Sequence, residues 1–151
     1  MERMRVLVVN GPNINMLGTR EPDNYGSATF DDLSALLVST ARRLDCDLSH
    51  FQSNGEGEIV SVIQKARGKF DALVLNAGAF THTSVAVRDA VLAAGVKMME
   101  VHISNIYKRE PFRHVSYLSD VAECVICGAG IHGYALAMEY AAEIHKHAND
   151  F

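Results

Sequence analysis

Short runs of β-branched and aliphatic residues alternate along the chain with longer stretches in which apolar residues recur every three or four positions. Buried parallel strands and amphipathic helices produce these two patterns. The alternation predicts five strands, at 5–10, 47–52, 71–76, 97–103 and 123–127. No linker interrupts the pattern, so we expect residues 1–151 to form a single domain.

The clearest helix start is at Thr29, which can cap a helix with Asp32 three residues further on. Its apolar stripe follows helical spacing and consists of Phe30, Leu33, Leu36, Leu37, Ala41 and Leu44. Further helices are predicted at about 58–67, before Gly68, at about 84–94, before Gly95, and at about 134–145.

Strands that alternate with helices indicate a parallel sheet with right-handed crossovers. For one domain of this length we expect an α/β flavodoxin-like three-layer sandwich, with a five-stranded parallel sheet of order 2-1-3-4-5. The ligand crevice of such a sheet lies at the carboxyl ends of its strands, where strands 1 and 3 diverge. Polar residues follow strands 1, 3 and 4 at this edge, including Asn13, Asn76 and Ser104.

The charge balance makes a nucleic-acid or membrane partner a poor expectation. Fourteen Lys and Arg against eighteen Asp and Glu give a net charge of −4, without a long basic block. The first apolar run ends at Asn10, too early for a signal peptide or a membrane span. Three cysteines are too few for a disulfide framework, so we expect reduced thiols and a cytoplasmic protein.

Two other motifs carry little chemistry. The run from Gly128 to Gly133 fits the GxGxxG pattern, but no strand with an acidic residue follows it, so we interpret it as a tight turn. Lys108 is the one lysine on the crevice side, and its neighbours Arg109 and Glu110 suggest a solvated loop rather than the dry pocket that a Schiff base requires.

Glu100 and His102 are two residues apart on a predicted strand and therefore share one face. A carboxylate in that position can orient the imidazole for general acid–base catalysis, whereas the alternative is a structural pair within the core. The two residues lie at the crevice end of the strand, where ionisable groups with perturbed pKa values are more often catalytic than structural. Asn13, Asn76, His82 and Ser104 are expected to converge on the same crevice.

Residues 17–26 form a polar segment with a glycine near each end, typical of a lid. It contains Arg20 and Tyr25. An arginine beside a tyrosine in a closed, dry site favours the phenolate, which is a usable base. The alternative is an exposed surface loop.

The chain resembles the type II 3-dehydroquinate dehydratases in a series of motifs that occur in order along nearly its whole length. They are Asn10-Gly11-Pro12-Asn13, Arg20-Glu21-Pro22 with Tyr25-Gly26, Leu75-Asn76-Ala77-Gly78 with Thr81-His82-Thr83-Ser84, Glu100-Val101-His102-Ile103-Ser104-Asn105, and Phe112-Arg113-His114 with Ser116-Tyr117.

The resemblance implies dehydration of 3-dehydroquinate to 3-dehydroshikimate by anti elimination through an enolate, without metal, cofactor or Schiff base. The reaction is a step of the shikimate pathway and of quinate breakdown. By the same resemblance Tyr25, near Arg20, is the base, His102 held by Glu100 is the acid, and Asn13 steadies the enolate through a water. The implied substrate-binding residues are Asn76, His82, Ile103, Ser104 and Arg113, with Asp89 from a neighbouring subunit of a homo-dodecamer built as a tetramer of trimers.

Two rival functions remain open at this point. A flavin-binding electron carrier shares the fold, but Pro12 and Asn13 stand where it needs a phosphate-binding loop, and the chain has no Trp to flank the ring. A yellow purified protein would favour it. A catalytically inactive scaffold is the second rival, and the presence of Tyr25, Arg20 and His102 argues against it.

Overall fold

The computed structural model describes residues 2–148, and within them it contains five strands and five α-helices, of which the five strands and the four longer helices correspond to those that the sequence predicts. The strands are β1 (Arg5–Asn10), β2 (Asp47–Gln52), β3 (Ala72–Asn76), β4 (Lys97–His102) and β5 (Cys124–Cys127). The helices are α1 (Pro22–Tyr25), α2 (Phe30–Leu44), α3 (Glu56–Lys65), α4 (Val85–Ala94) and α5 (His132–Lys146).

The strands form one parallel sheet in the order β2-β1-β3-β4-β5, which confirms the predicted flavodoxin-like topology. The register pairs Asn10 at the end of β1 with Asn76 at the end of β3. Two polar side chains therefore leave the sheet side by side at the point where the strand order reverses.

Alternate residues of the strands point to opposite faces of the sheet, and each face is covered by two helices. On one face Val6 and Val8 pack in a cluster with residues of α2 and α5. On the other, Leu7 and Val9 pack in a cluster with residues of α3 and α4. Burial on both faces explains why β1 has no polar residue between Arg5 and Asn10.

The helix ends follow the local chemistry of the sequence. Thr29 Oγ1 accepts the Asp32 N–H at 3.1 Å, and the Asp32 carboxylate accepts the Thr29 N–H at 2.9 Å, which confirms the capping box of α2. Gly95 ends α4 in the left-handed conformation at φ 65°. The predicted boundaries of α3 and α5 are each wrong by one or two residues.

Several short helical turns were not predicted as regular structure. Helix α1 is one turn within the lid segment, and the polar loop between β4 and β5 contains three short 3₁₀ turns, at Ile106–Lys108, Pro111–Arg113 and Ser119–Val121. Two more 3₁₀ turns, at Ile14–Met16 and Gly78–His82, follow β1 and β3. None of the helices in residues 2–148 is long and apolar enough to cross a membrane.

The strand ends approach each other closely at the switch point. A Cβ atom on Gly11 would lie 2.3 Å from the carbonyl oxygen of Ala77, so only glycine fits there. The Gly11 N–H donates to the carbonyl of Asn76 at 2.7 Å. This contact joins the loops after β1 and β3 into one edge, and it leaves little room for a phosphate-binding loop after β1.

Candidate active site

A small cavity of about 110 Å³ lies at the carboxyl ends of β1, β3 and β4. All the residues that the sequence predicted for the site line it, except Glu100 and Asp89. Those that line it are Asn13, Arg20, Tyr25, Asn76, His82, His102, Ile103, Ser104 and Arg113. Its walls are more polar than apolar, which suits a small polar ligand.

A larger cavity of about 540 Å³ lies at the opposite end of the sheet, beside Asp71, Lys97 and His145. None of the predicted site residues lines it. The edge at the carboxyl ends of the strands is therefore the better candidate, although its cavity is smaller.

Glu100 and His102 form a buried pair at the end of β4. The His102 Nε2–H donates to Glu100 Oε2 at 2.5 Å, and the Glu100 side chain is 0% exposed. Because Nε2 is bound to the carboxylate, Nδ1 is the imidazole nitrogen left for a ligand in the cavity. The sequence-based expectation that the carboxylate orients the imidazole agrees with this geometry.

Burial opposes ionisation of Glu100, but hydrogen bonds outweigh it. His102, Ser119 and Ser116 all donate to the carboxylate, and together they hold its pKa below the ordinary value. A carboxylate that stays ionised can in turn stabilise a protonated imidazole beside it. The pair is thus arranged to keep a proton available at the cavity wall.

Tyr25 contacts two arginines, and the one that holds its hydroxyl was not predicted. Arg109 Nη1 donates to Tyr25 Oη at 2.6 Å, whereas Arg20 lies over the ring, with its Cζ 4.5 Å from the centroid. Lys108 and Glu110 are exposed as expected of a solvated loop, but the Arg109 side chain between them is only 6% exposed. Arg109 turns inward because Tyr25 and Ser104 both accept its Nη1–H groups.

The lid segment is closed over the cavity in this structure. Arg20 and Tyr25 line the cavity from it, and the segment is tied to the β4–β5 loop by an ion pair between Arg109 Nη2 and Glu21 Oε2 at 3.5 Å. Gly18 and Gly26 near its ends have φ of 89° and 74°, where glycine is favoured. Motion of the lid stays a prediction.

Asn76 lies in a buried hydrogen-bond chain that sequence reasoning missed. Its Nδ2 donates to Tyr134 Oη at 2.8 Å, and the Tyr134 hydroxyl donates to Asn10 Oδ1 at 2.5 Å. Asn10 Nδ2 continues the chain to His50 Nε2 at 2.9 Å. Burial raises the pKa of Tyr134, which therefore stays a neutral phenol able both to donate and to accept. The only signal was a tyrosine on the apolar face of α5.

His82 and Arg113 line the cavity from separate loops. The His82 Nδ1–H donates to the carbonyl of Val115 at 2.7 Å, which leaves Nε2 for a ligand. Burial lowers the pKa of His82 and favours the neutral imidazole. Arg113 Nε donates to Glu110 Oε1 at 3.1 Å. Ile103 and Ser104 follow His102 and are both buried.

Two predicted site residues occupy exposed positions. Asn13 lies in the loop after β1, just before the 3₁₀ turn at Ile14–Met16, in the left-handed conformation at φ 72°, and its N–H donates to Asn54 Oδ1 at 3.0 Å. Asp89 lies on the outer face of α4 and does not line the cavity of its own chain. Among residues 2–148, no three His, Cys, Asp or Glu side chains are grouped as metal ligands would be.

Comparison with known proteins shows which family this chain resembles. A family model described as "Dehydroquinase class II" matches residues 4–142. A 3-dehydroquinate dehydratase of Proteus mirabilis is 51% identical over 140 residues, which cover 93% of this chain and 95% of that protein. A protein of Phaeosphaeria nodorum named catabolic 3-dehydroquinase is 56% identical over 137 residues, which cover 91% and 90%. A type II dehydroquinase crystal structure from Butyrivibrio crossotus superposes with a TM-score of 0.89 at 40% identity, covering 92% of this chain and 97% of that one.

Proposed function

The chain belongs to the class II dehydroquinase family, and we propose that it dehydrates 3-dehydroquinate to 3-dehydroshikimate by anti elimination through an enolate. One observation supports this most: Tyr25, its hydroxyl held by Arg109, lines the same cavity as His102, which Glu100 holds from behind. An elimination needs one group to remove a proton and another to protonate the departing hydroxyl. The cavity holds one candidate for each.

Tyr25 removes the proton beside the ketone. Arg109 holds its hydroxyl with a hydrogen bond of 2.6 Å, and Arg20 lies over its ring. These contacts fix the phenolic oxygen at the cavity wall, where it can meet the proton of the substrate. Closure of the lid excludes water from around this contact.

His102 then protonates the departing hydroxyl. The imidazole is fixed by its bond to Glu100, and the ionised carboxylate helps it to hold the proton that it donates. Asn13, which lines the cavity after β1, steadies the enolate oxygen through an ordered water. No step in this sequence uses a metal ion or an imine on lysine.

The remaining groups bind a small anionic polyol. Asn76, His82 and Arg113 supply polar contacts for its hydroxyls and carboxylate, and the Ile103–Ser104 segment supplies backbone groups at the end of β4. Arg113 is suited to the carboxylate because a guanidinium can bind it with two parallel hydrogen bonds.

Asp89 reaches the site of a neighbouring subunit in a homo-dodecamer. The outer face of α4 supports this assembly because Val85 and Leu92, each 55% exposed, share that face with Asp89 at i, i+4, i+7 spacing. Exposed apolar residues grouped in this way are typical of subunit contacts. The enzyme acts in the cytoplasm.

The test is an ultraviolet assay for the conjugated enone product, run with 3-dehydroquinate in the presence of a chelator. The wild-type protein is expected to turn over, and Tyr25→Phe and His102→Ala are expected to lose about 10²–10⁴-fold in kcat. Tyr140→Phe, at an exposed tyrosine of α5, is the matched control and is expected to keep full activity. Turnover that stops with the chelator, or a His102→Ala protein that folds and keeps normal turnover, would contradict the proposal.

A further inference from the structure

Glu100 occupies a position where a carboxylate needs several donors. Its side chain is 0% exposed on β4, paired in register with Leu75 on one side and Val125 on the other. A charged group without hydrogen bonds in such surroundings is strongly destabilised. His102 supplies one donor to Oε2. The other donors come from a different part of the chain.

Those donors are two serine hydroxyls of the loop between β4 and β5. Ser116 Oγ donates to Glu100 Oε2 at 3.0 Å, and Ser119 Oγ donates to Oε1 at 2.8 Å. Ser116 Oγ also accepts the N–H groups of Leu118 and Ser119, at 3.0 and 3.1 Å. Since both of its acceptor positions are used by backbone donors, its single O–H can only point toward the carboxylate.

The loop that carries the serines is itself anchored. The Tyr117 N–H donates to the carbonyl of Thr81 at 2.9 Å, and Arg88 Nη1 donates to the carbonyl of Tyr117 at 2.9 Å. Arg88 also donates to the Asp120 carboxylate from its two terminal nitrogens, Nη1 and Nη2. These contacts come from α4 and from the turn before it, so the hydroxyls are in place before any substrate binds.

We propose that Ser116 and Ser119 are positioning residues of the reaction, which act through Glu100 by keeping it ionised and aimed at His102. This inference rests on the function proposed above. Neither serine lines the cavity, so their effect on the reaction passes through Glu100. Their hydrogen bonds stabilise the ionised form of Glu100, so the proton of the Glu100–His102 pair stays on the imidazole. A carboxylate that loses a donor binds the proton more tightly, and the imidazole then lacks the proton that it must donate.

Few other titratable groups face Glu100. His102 lies on its own strand, and His82, which stacks near His102 at 6.3 Å between ring centroids, is the next imidazole. The segment 116–119 brings hydroxyls and no charge, and Asp120 beyond it is exposed and paired with Arg88. The flanking strands face it with Leu75 and Val125. The effect of removing a serine on Glu100 is therefore direct.

Ser119→Ala is the cleaner test, because the Ser119 side chain has Glu100 as its hydrogen-bond partner whereas Ser116 also shapes the turn. The titration of Glu100 is followed by infrared difference spectra of the protonated carboxyl stretch, with Glu100→Gln identifying the band. We expect the carboxyl to protonate at a higher pH in Ser119→Ala than in the wild type. At neutral pH we expect kcat to fall about 10-fold, a part of the general-acid effect, with KM unchanged.

Ser119→Thr keeps the hydroxyl and is expected to restore both the titration and kcat. Ile63→Val, in the core of α3 and away from the pair, is the control for loss of stability alone and should leave both readouts unchanged. The inference is overturned by a carboxyl titration that does not move in Ser119→Ala, by a loss confined to KM, or by an equal loss in Ile63→Val. The infrared titration needs no substrate, so its outcome stands apart from failure of the wild-type protein to dehydrate 3-dehydroquinate.

Discussion

Exchange of the two arginines around Tyr25 for glutamine separates their contributions to the base. Arg109 donates to the phenolic oxygen at 2.6 Å from a side chain that is 6% exposed, whereas Arg20 covers the ring face and is 29% exposed. A base must be held at the atom from which it takes the proton, so loss of a contact that orients the phenolic oxygen lowers kcat. The arginine that bonds the oxygen is therefore expected to matter more than the one over the ring.

The geometry sets the size of each loss. A hydrogen bond to a charged group contributes about 1.5–3 kcal/mol, and about 1.4 kcal/mol on the barrier is tenfold in rate, so Arg109→Gln is expected to lower kcat by about 10–100-fold. Arg20 makes no hydrogen bond to the oxygen, and its partial exposure allows solvent to screen the charge. For partly solvated charges about 0.2–1 kcal/mol is typical, so Arg20→Gln is expected to lower kcat by less than about 10-fold.

The assay is the initial rate of enone formation at saturating and at limiting 3-dehydroquinate. Tyr25→Phe sets the baseline, since it lacks the hydroxyl that removes the proton. Equal losses of kcat in Arg109→Gln and Arg20→Gln would refute the assignment of the hydroxyl contact as the dominant effect. A loss in Arg109→Gln confined to KM would assign Arg109 to closure of the lid through Glu21 instead.

Three further outcomes are expected. Tyr134→Phe should lower the free energy of unfolding by about 1–3 kcal/mol in denaturant titration, because the buried amides of Asn10 and Asn76 each lose a hydrogen-bond partner. An unchanged denaturation midpoint at equal slope would contradict the structural role of these hydrogen bonds. The pKa of Glu100 is lowered in the folded state, so its contribution to stability is present above about pH 4.3, the unfolded value, and is lost as the pH falls through the folded value. In thermal unfolding scans at decreasing pH, the unfolding temperature of Glu100→Gln should therefore fall less steeply than that of the wild type. Light scattering after size exclusion should find a dodecamer. Mixing inactive Asp89→Asn and Tyr25→Phe subunits should restore part of the activity, because some sites then combine an intact Tyr25 with an intact Asp89. A monomer at working concentration would exclude the shared site.

The sequence by itself determined the architecture, because its information is local and periodic. Burial of β1 on both faces requires an unbroken apolar run, and the capping chemistry of Thr29 and Asp32 is complete within four residues. The sheet order then follows from short right-handed connections, and it places Asn13, Asn76 and His102 at one edge. The Glu100–His102 pair was predictable for the same reason, since residues two apart on a strand share a face.

Only the tertiary structure decided which side chains complete the site. Arg109, Ser116 and Ser119 lie in a loop of short turns without periodicity, where the direction of a side chain depends on contacts with distant segments. Arg109 points inward because the hydroxyl of Tyr25, 84 residues away along the chain, accepts its N–H. In the sequence Tyr134 is indistinguishable from the other residues of the apolar face of α5. Its hydroxyl has partners only in the folded protein, where Asn10 and Asn76 at the ends of β1 and β3 lie beside it. Hydrogen bonds of this kind are directional and join residues far apart in sequence, so local sequence patterns cannot predict them.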